Sequence, residues 1–139
     1  MPRETELNDM TTRIRVVAGI LSTADGHVLI ADRCRSRSMQ DYWEFPGGKL
    51  HEDETPEQAL ARELSEELGV DVIRARHFQH LRHDYDDLKV AIDFFLVDDW
   101  QGEPSGVEGQ QLKWIARSEL DQVSLLPADM PVVETLNSI

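Results

Sequence analysis

The alternation of apolar and polar positions divides the chain into strands and one strong helix. From Arg13 to Leu21 the β-branched and aliphatic run IRVVAGIL reads as a buried strand. Asp25-Gly26 supplies a hairpin turn and HVLIADR returns as a second strand. The basic stretch RCRSRSMQDY is expected to be a flexible loop leading into the aromatic-rich YWEFPGGK. Pro46, Gly47 and Gly48 are expected to break any regular element there and to let backbone approach a ligand closely.

Thr55-Pro56 opens the main helix, with Thr55 as N-cap and Pro56 at the first helical position. Gly69 closes it, and Leu60, Leu64 and Leu68 form its apolar stripe. VIRARHFQHLRHDY and KVAIDFFLVDDW read as two long strands joined around Asp86-Asp87. The loop QGEPSGVEG leads to a short strand, QLKWIA; RSELDQ makes a helical turn, and PVVETLNSI is a C-terminal helix. Strands and helices mix along the chain, so the expected fold class is α/β, a mixed β-sheet sandwiched between α-helices. Residues 1–12 are polar and lack periodicity, which predicts a loose tail ahead of a single domain spanning 13–139.

A formal charge of −13 argues against a nucleic-acid polymer or an anionic membrane as partner. Cys34 is the single cysteine, so no intrachain disulfide forms. It lies between Arg33 and Arg35, which would favour the thiolate, but the ordinary reading is a small residue at a strand end. With neither an apolar leader nor an apolar run of spanning length, a cytoplasmic location is the expectation.

The chemistry concentrates in GKLHEDETPEQALARELSEELGV, residues 48–70. Glu63, Glu66 and Glu67 stand at i, i+3 and i+4, and at about 100° per residue they share one helical stripe. Like charges so placed repel one another unless a cation lies between them. Hard carboxylate oxygens suit Mg²⁺ or Mn²⁺, which use their remaining positions on phosphates. The plain alternative is an amphipathic helix with a solvated acidic face. It gives no reason for the flanking glycines or for Arg62.

Those residues fill the Nudix pattern: Gly48, Glu54, Arg62, Glu63, Leu64, Glu66, Glu67, Gly69 and Val70 stand at the family's spacing, and the chain is identified as similar to that family. The resemblance implies the Nudix fold and a metal-dependent hydrolase of phosphoanhydride bonds. It makes Glu63, Glu66 and Glu67 the metal ligands or the water-activating base, and the Gly47 carbonyl a further ligand. Glu54 and Arg62, with Gly48 and Gly69, then support the box by bracing its loop and helix.

WEFPGGK, WQGEPSGVEGQ and PADMPVV extend the resemblance to the MutT-type 8-oxo-dGTP diphosphatases. That branch implies Glu108 as another metal or water carboxylate on a mobile loop, and Arg33 and Lys49 as phosphate contacts. It implies Phe45 as the purine wall. Its substrate would be a nucleoside triphosphate, attacked at the β-phosphorus to release pyrophosphate, with Mg²⁺ (or Mn²⁺) as cofactor and a monomer or homodimer as the working form. Two positions depart from the pattern. Asp129 replaces an asparagine next to Pro127-Ala128, and Leu88 replaces a basic residue, with Lys89 beside it. An ionised Asp129 only accepts hydrogen bonds, so it would oppose guanine O6 yet suit the amine of cytosine. A CTP or 5-methyl-dCTP pyrophosphohydrolase is therefore the first alternative. A dinucleotide hydrolase, suggested only by Tyr85, and a non-catalytic nucleotide-binding module are further ones.

Phe94, Phe95 and Trp114 are expected in the core. His77, His80 and His83 recur every third residue, but such neighbours on a regular strand point to opposite faces and are not expected to converge.

Overall fold

A computed structural model describes residues 13–33, 42–85 and 88–139. The expectations for the tail 1–12, for Cys34 with the basic loop, and for the Asp86-Asp87 turn fall outside the described residues. The described residues form seven strands and two α-helices, in the order β1 (Ile14–Leu21), β2 (His27–Asp32), β3 (Trp43–Glu44), β4 (Gly47–Lys49), α1 (Pro56–Leu68), β5 (Asp71–Tyr85), β6 (Leu88–Gln101), β7 (Leu112–Ala116) and α2 (Met130–Asn137). Short 3-10 turns at Arg117–Gln122 and Pro127–Asp129 join β7 to α2.

The strands form a four-stranded mixed sheet, β4-β1-β6-β5, and a smaller antiparallel sheet, β3-β2-β7. β1 and β6 run parallel, whereas β4 and β5 pair antiparallel at the two edges. Alternation along β1 and β6 sends side chains to two cores. Val17, Phe95 and Val97 face Ala59, Leu60, Leu64 and Leu68 of α1. Ala18, Ile20, Ile92 and Phe94 face Val132, Val133 and Leu136 of α2, together with Val28 and Ile30 of the small sheet. The large sheet is thus covered on both faces, the α/β/α arrangement expected from the sequence.

Helix α1 begins at a capping box: the Thr55 hydroxyl accepts from the Gln58 N–H and the Gln58 side chain accepts from the Thr55 N–H. It ends at Gly69, whose φ of 72° is the left-handed cap that glycine adopts without steric cost. A Cβ at Gly19 would sit 2.9 Å from a Leu64 methyl, so glycine on β1 is what lets the helix settle this close. Among the described residues, no helix is long and apolar enough to cross a membrane.

Three local expectations are corrected. Gly47–Lys49 forms strand β4 instead of breaking regular structure, because only a residue without Cβ fits against the Val17 carbonyl where β4 pairs with β1. Trp114 is 37% exposed and stacks on Trp100 with ring centroids 6.1 Å apart, so it is a surface residue. Phe94 and Phe95 are buried as expected. Finally, His77 and His80 do converge. A register shift between His77 and Gln79 re-phases β5, and His77 Nε2 and His80 Nδ1 each lie 2.8 Å from Asp93 Oδ1 on β6. His83 stays apart, on the Tyr85 ring.

Candidate active site

The acids of α1 meet strand β4. A Cβ at Gly48 would collide with the Glu63 carboxylate, so this glycine leaves the space that the acid fills. One residue earlier, the Gly47 N–H donates to Glu67 Oε2 at 3.2 Å. Arg62 ties the group together: its Nε donates to Glu54 Oε2 at 2.7 Å, Nη2 to Glu54 Oε1 at 3.0 Å and to the Lys49 carbonyl at 2.9 Å. Its Nη1 donates to Glu63 Oε1 at 2.9 Å and to Glu66 Oε2 at 3.3 Å. A planar fork with five donors can do this, and a point charge cannot. Glu54 also accepts the His51 N–H at 2.7 Å.

Electrostatics separate the acids by environment. The hydrogen bond from Arg62, then that from the His51 main chain, holds Glu54 down to about 2. Burial raises Glu63. Burial, followed by repulsion from Glu63, Glu44 and Glu108, pushes Glu67 up to about 8. Glu66 is more exposed than Glu63.

The loop carrying Glu108 is not free-standing. It is pinned to the end of α1, with the Ser105 N–H on the Leu68 carbonyl at 3.0 Å and the Val107 N–H on the Glu67 carbonyl at 3.2 Å. Among the described residues, no three acids or imidazoles already form a closed metal cage. The donor set nevertheless fits a hard divalent cation: all its ligand atoms are oxygens, and Glu67 is a buried acid raised by three anionic neighbours, a repulsion that a cation relieves.

A cleft of about 620 Å³ opens beside these acids and shares β4 with them, since Gly47, Gly48 and Lys49 form part of its wall. Val16, Ala18, Val90 and Ile92 give it an apolar floor, and Arg33, Lys49 and His83 also line it. The Arg33 Nη1 donates to Glu44 Oε1 at 2.7 Å. At the far side, the Phe45 N–H donates to Asp129 Oδ2 at 3.2 Å. Burial, then repulsion from Glu44, outweighs that bond and raises Asp129 to about 8. Burial thus favours the neutral form of Asp129, and a neutral carboxyl both donates and accepts. Phe45 borders the cleft but is only 3% exposed, its ring set edge-on against Phe94.

Glu44 and Gln110 carry no signal in the sequence, and Tyr85 and His83 carry a different one. Glu44 lay in plain view inside WEFPGGK but carried no spacing signal. Tyr85, which in the sequence suggests only a dinucleotide hydrolase, lines the cleft, accepts the Ala128 N–H at 3.3 Å and meets the His83 ring with centroids 4.4 Å apart. His83 stands third in the spaced histidines and lines the cleft apart from the other two. No pattern marks Gln110. Leu88 also lines the cleft, 40% exposed.

This fold, with an acid cluster beside a cleft, is that of a hydrolase, and a NUDIX domain family model matches residues 17–135, so the chain belongs to the Nudix hydrolase family. It is similar to the 8-oxo-dGTP diphosphatase of Haemophilus influenzae, 37% identical over 88% of this chain and 90% of the relative. The CTP pyrophosphohydrolase of Escherichia coli is 34% identical over 91% of this chain and 93% of the relative. Among solved structures, the MutT Nudix hydrolase of Burkholderia pseudomallei superposes with a TM-score of 0.80 at 28% identity, covering 88% of this chain and 96% of that one.

Proposed function

We propose that the protein is a Mg²⁺-dependent nucleoside triphosphate pyrophosphohydrolase that converts 8-oxo-dGTP and water to 8-oxo-dGMP and pyrophosphate, clearing an oxidised precursor from the nucleotide pool. The observation that carries this reading is the shared wall: β4 borders the acid cluster and the nucleotide-sized cleft at once. A base seated in the cleft then directs its phosphates toward the acids. Glu63, Glu66, Glu67, Glu108 and the Gly47 carbonyl would hold the cation. When bound, Mg²⁺, or Mn²⁺ in its place, supplies charge neutralisation on the phosphates and a more acidic water.

The chain's own residues divide the remaining work. One of the four glutamates, Glu63, Glu66, Glu67 or Glu108, accepts the proton of the attacking water. Lys49 offers a point charge to the phosphates, and Arg33, oriented by Glu44, offers a fork. Asp129 reads the base edge, donating to O6 and accepting from a ring N–H through its neutral carboxyl. Phe45, Tyr85 and His83 provide aromatic surface around the base.

Hydrolysis of cytidine triphosphates is the second reading. It is favoured by aspartate rather than asparagine at position 129 and by the similar CTP pyrophosphohydrolase. Parallel steady-state kinetics on 8-oxo-dGTP, dGTP, CTP and 5-methyl-dCTP separate the two. The first reading predicts the highest kcat/KM for 8-oxo-dGTP, and a higher value for a cytidine nucleotide replaces it with the second. Absence of turnover on all four would overturn both readings in favour of a binding module or a dinucleotide hydrolase.

A further inference from the structure

The two acids expected to meet across the metal site come from different elements, Glu67 from α1 and Glu108 from the loop between β6 and β7. One side chain joins them. Gln110 Nε2 donates to the Glu67 main-chain carbonyl at 3.0 Å, and Gln110 Oε1 accepts the Glu108 main-chain N–H at 3.0 Å. We propose that Gln110 is a positioning residue of the metal site, a carboxamide strut that sets Glu108 at a fixed place relative to Glu67. The inference rests on the reading that these two glutamates share a divalent ion.

The physics of the helix end explains why a strut is placed there. The last carbonyls of α1 have no intrahelical donor and must find one elsewhere. Gly69 satisfies Ser65, Ser105 satisfies Leu68, and Val107 together with Gln110 satisfies Glu67. Three of these bonds come from the Glu108 loop, so the helix terminus is what the loop is built upon. Main-chain bonds position residues 105 and 107, but the Glu108 N–H bond runs to the side chain of Gln110.

A carboxamide offers a donor and an acceptor on the same carbon without titrating. Flipping it would set oxygen against the Glu67 carbonyl and N–H against the Glu108 N–H, so the network fixes its orientation. The loop winds tightly around this residue. A Cβ at Gly106 would collide with the Gln110 carbonyl, and the Gly109 N–H closes back on the Gly106 carbonyl at 2.9 Å.

The test compares wild type with Gln110→Met, which keeps the length but neither polar atom, with Gln110→Ala, and with Glu108→Gln. Two readouts avoid turnover: Mn²⁺ affinity by titration of metal-free protein, and amide hydrogen exchange at Val107 and Glu108. Both Gln110 variants should bind Mn²⁺ roughly tenfold more weakly, the range typical of groups that orient metal ligands. Their Glu108 amide should exchange faster while thermal unfolding stays within a few degrees of wild type. Combined with Glu108→Gln, they should add little further weakening, because both changes act through one ligand. Wild-type Mn²⁺ affinity in both Gln110 variants, with Glu108→Gln weakened, would overturn the strut and leave the site reading intact. Unchanged affinity in Glu108→Gln would overturn the shared-ion reading and the strut with it.

Discussion

Asp129 Oδ2 accepts the main-chain N–H of Phe45 at 3.2 Å, joining the turn before α2 to the strand segment that enters the Gly-rich β4. One hydrogen bond does not offset the loss of water around this fully buried carboxyl, whose pKa is pushed up to about 8. The sign of the linkage follows. The folded state binds the proton more tightly than the unfolded chain, so stability is fully present below the unfolded carboxyl value of 3.8 and declines as pH rises toward about 8. Asp129→Asn keeps an acceptor for the Phe45 N–H and removes the titration. Urea unfolding should show the variant gaining on wild type progressively between pH 4 and about 8. A constant difference across that window would mean Asp129 is ionised throughout.

Arg62 makes five hydrogen bonds, to Glu54, Glu63, Glu66 and the Lys49 carbonyl. Arg62→Lys preserves the charge and discards the fork. The lysine variant should lose roughly 10- to 100-fold in kcat/KM and require more Mg²⁺, since groups that orient metal ligands have effects of that size. Kinetics within twofold of wild type at every Mg²⁺ concentration would show that charge alone suffices.

Much of this was legible in the sequence because the signals were local. Thr55, Pro56 and Gly69 delimit α1, and the i, i+3, i+4 acids with Arg62 declare their own spacing. What stayed hidden depends on contacts between distant segments. Nothing near Asp129 in the chain reveals that it will be buried beside Phe45, or that burial and then Glu44 will raise its proton affinity. Period-two reasoning failed for His77 and His80 because a bulge breaks the period, and a bulge leaves no residue signature here. The strand at Gly47–Lys49 was hidden for another reason: glycines that elsewhere signal a break serve here for close pairing with β1.

The His77–Asp93–His80 clasp has its own signature. Burial works against the Asp93 charge, but hydrogen bonds from His77 and His80 prevail and hold the carboxyl below its ordinary 3.8. The stabilisation is therefore present above 3.8 and lost as pH falls through and below it. Asp93→Asn should cost about 1 kcal/mol near neutral pH, a charge-assisted bond partly screened by solvent. That deficit should vanish in acid. Chemical denaturation from pH 7 to pH 3 measures it, and a deficit that persists unchanged into acid would mean the lost contribution is packing.

The central claim is that Glu63 and Glu67, gathered beneath β4 at the edge of the cleft, hold a divalent cation. Crystals soaked in Mn²⁺ and a nucleoside monophosphate, with anomalous data collected for manganese, test it directly. The account predicts an anomalous peak in bonding contact with the carboxylates of Glu63 and Glu67, on the side open to the cleft. An ordered nucleotide with no manganese among those carboxylates would contradict it.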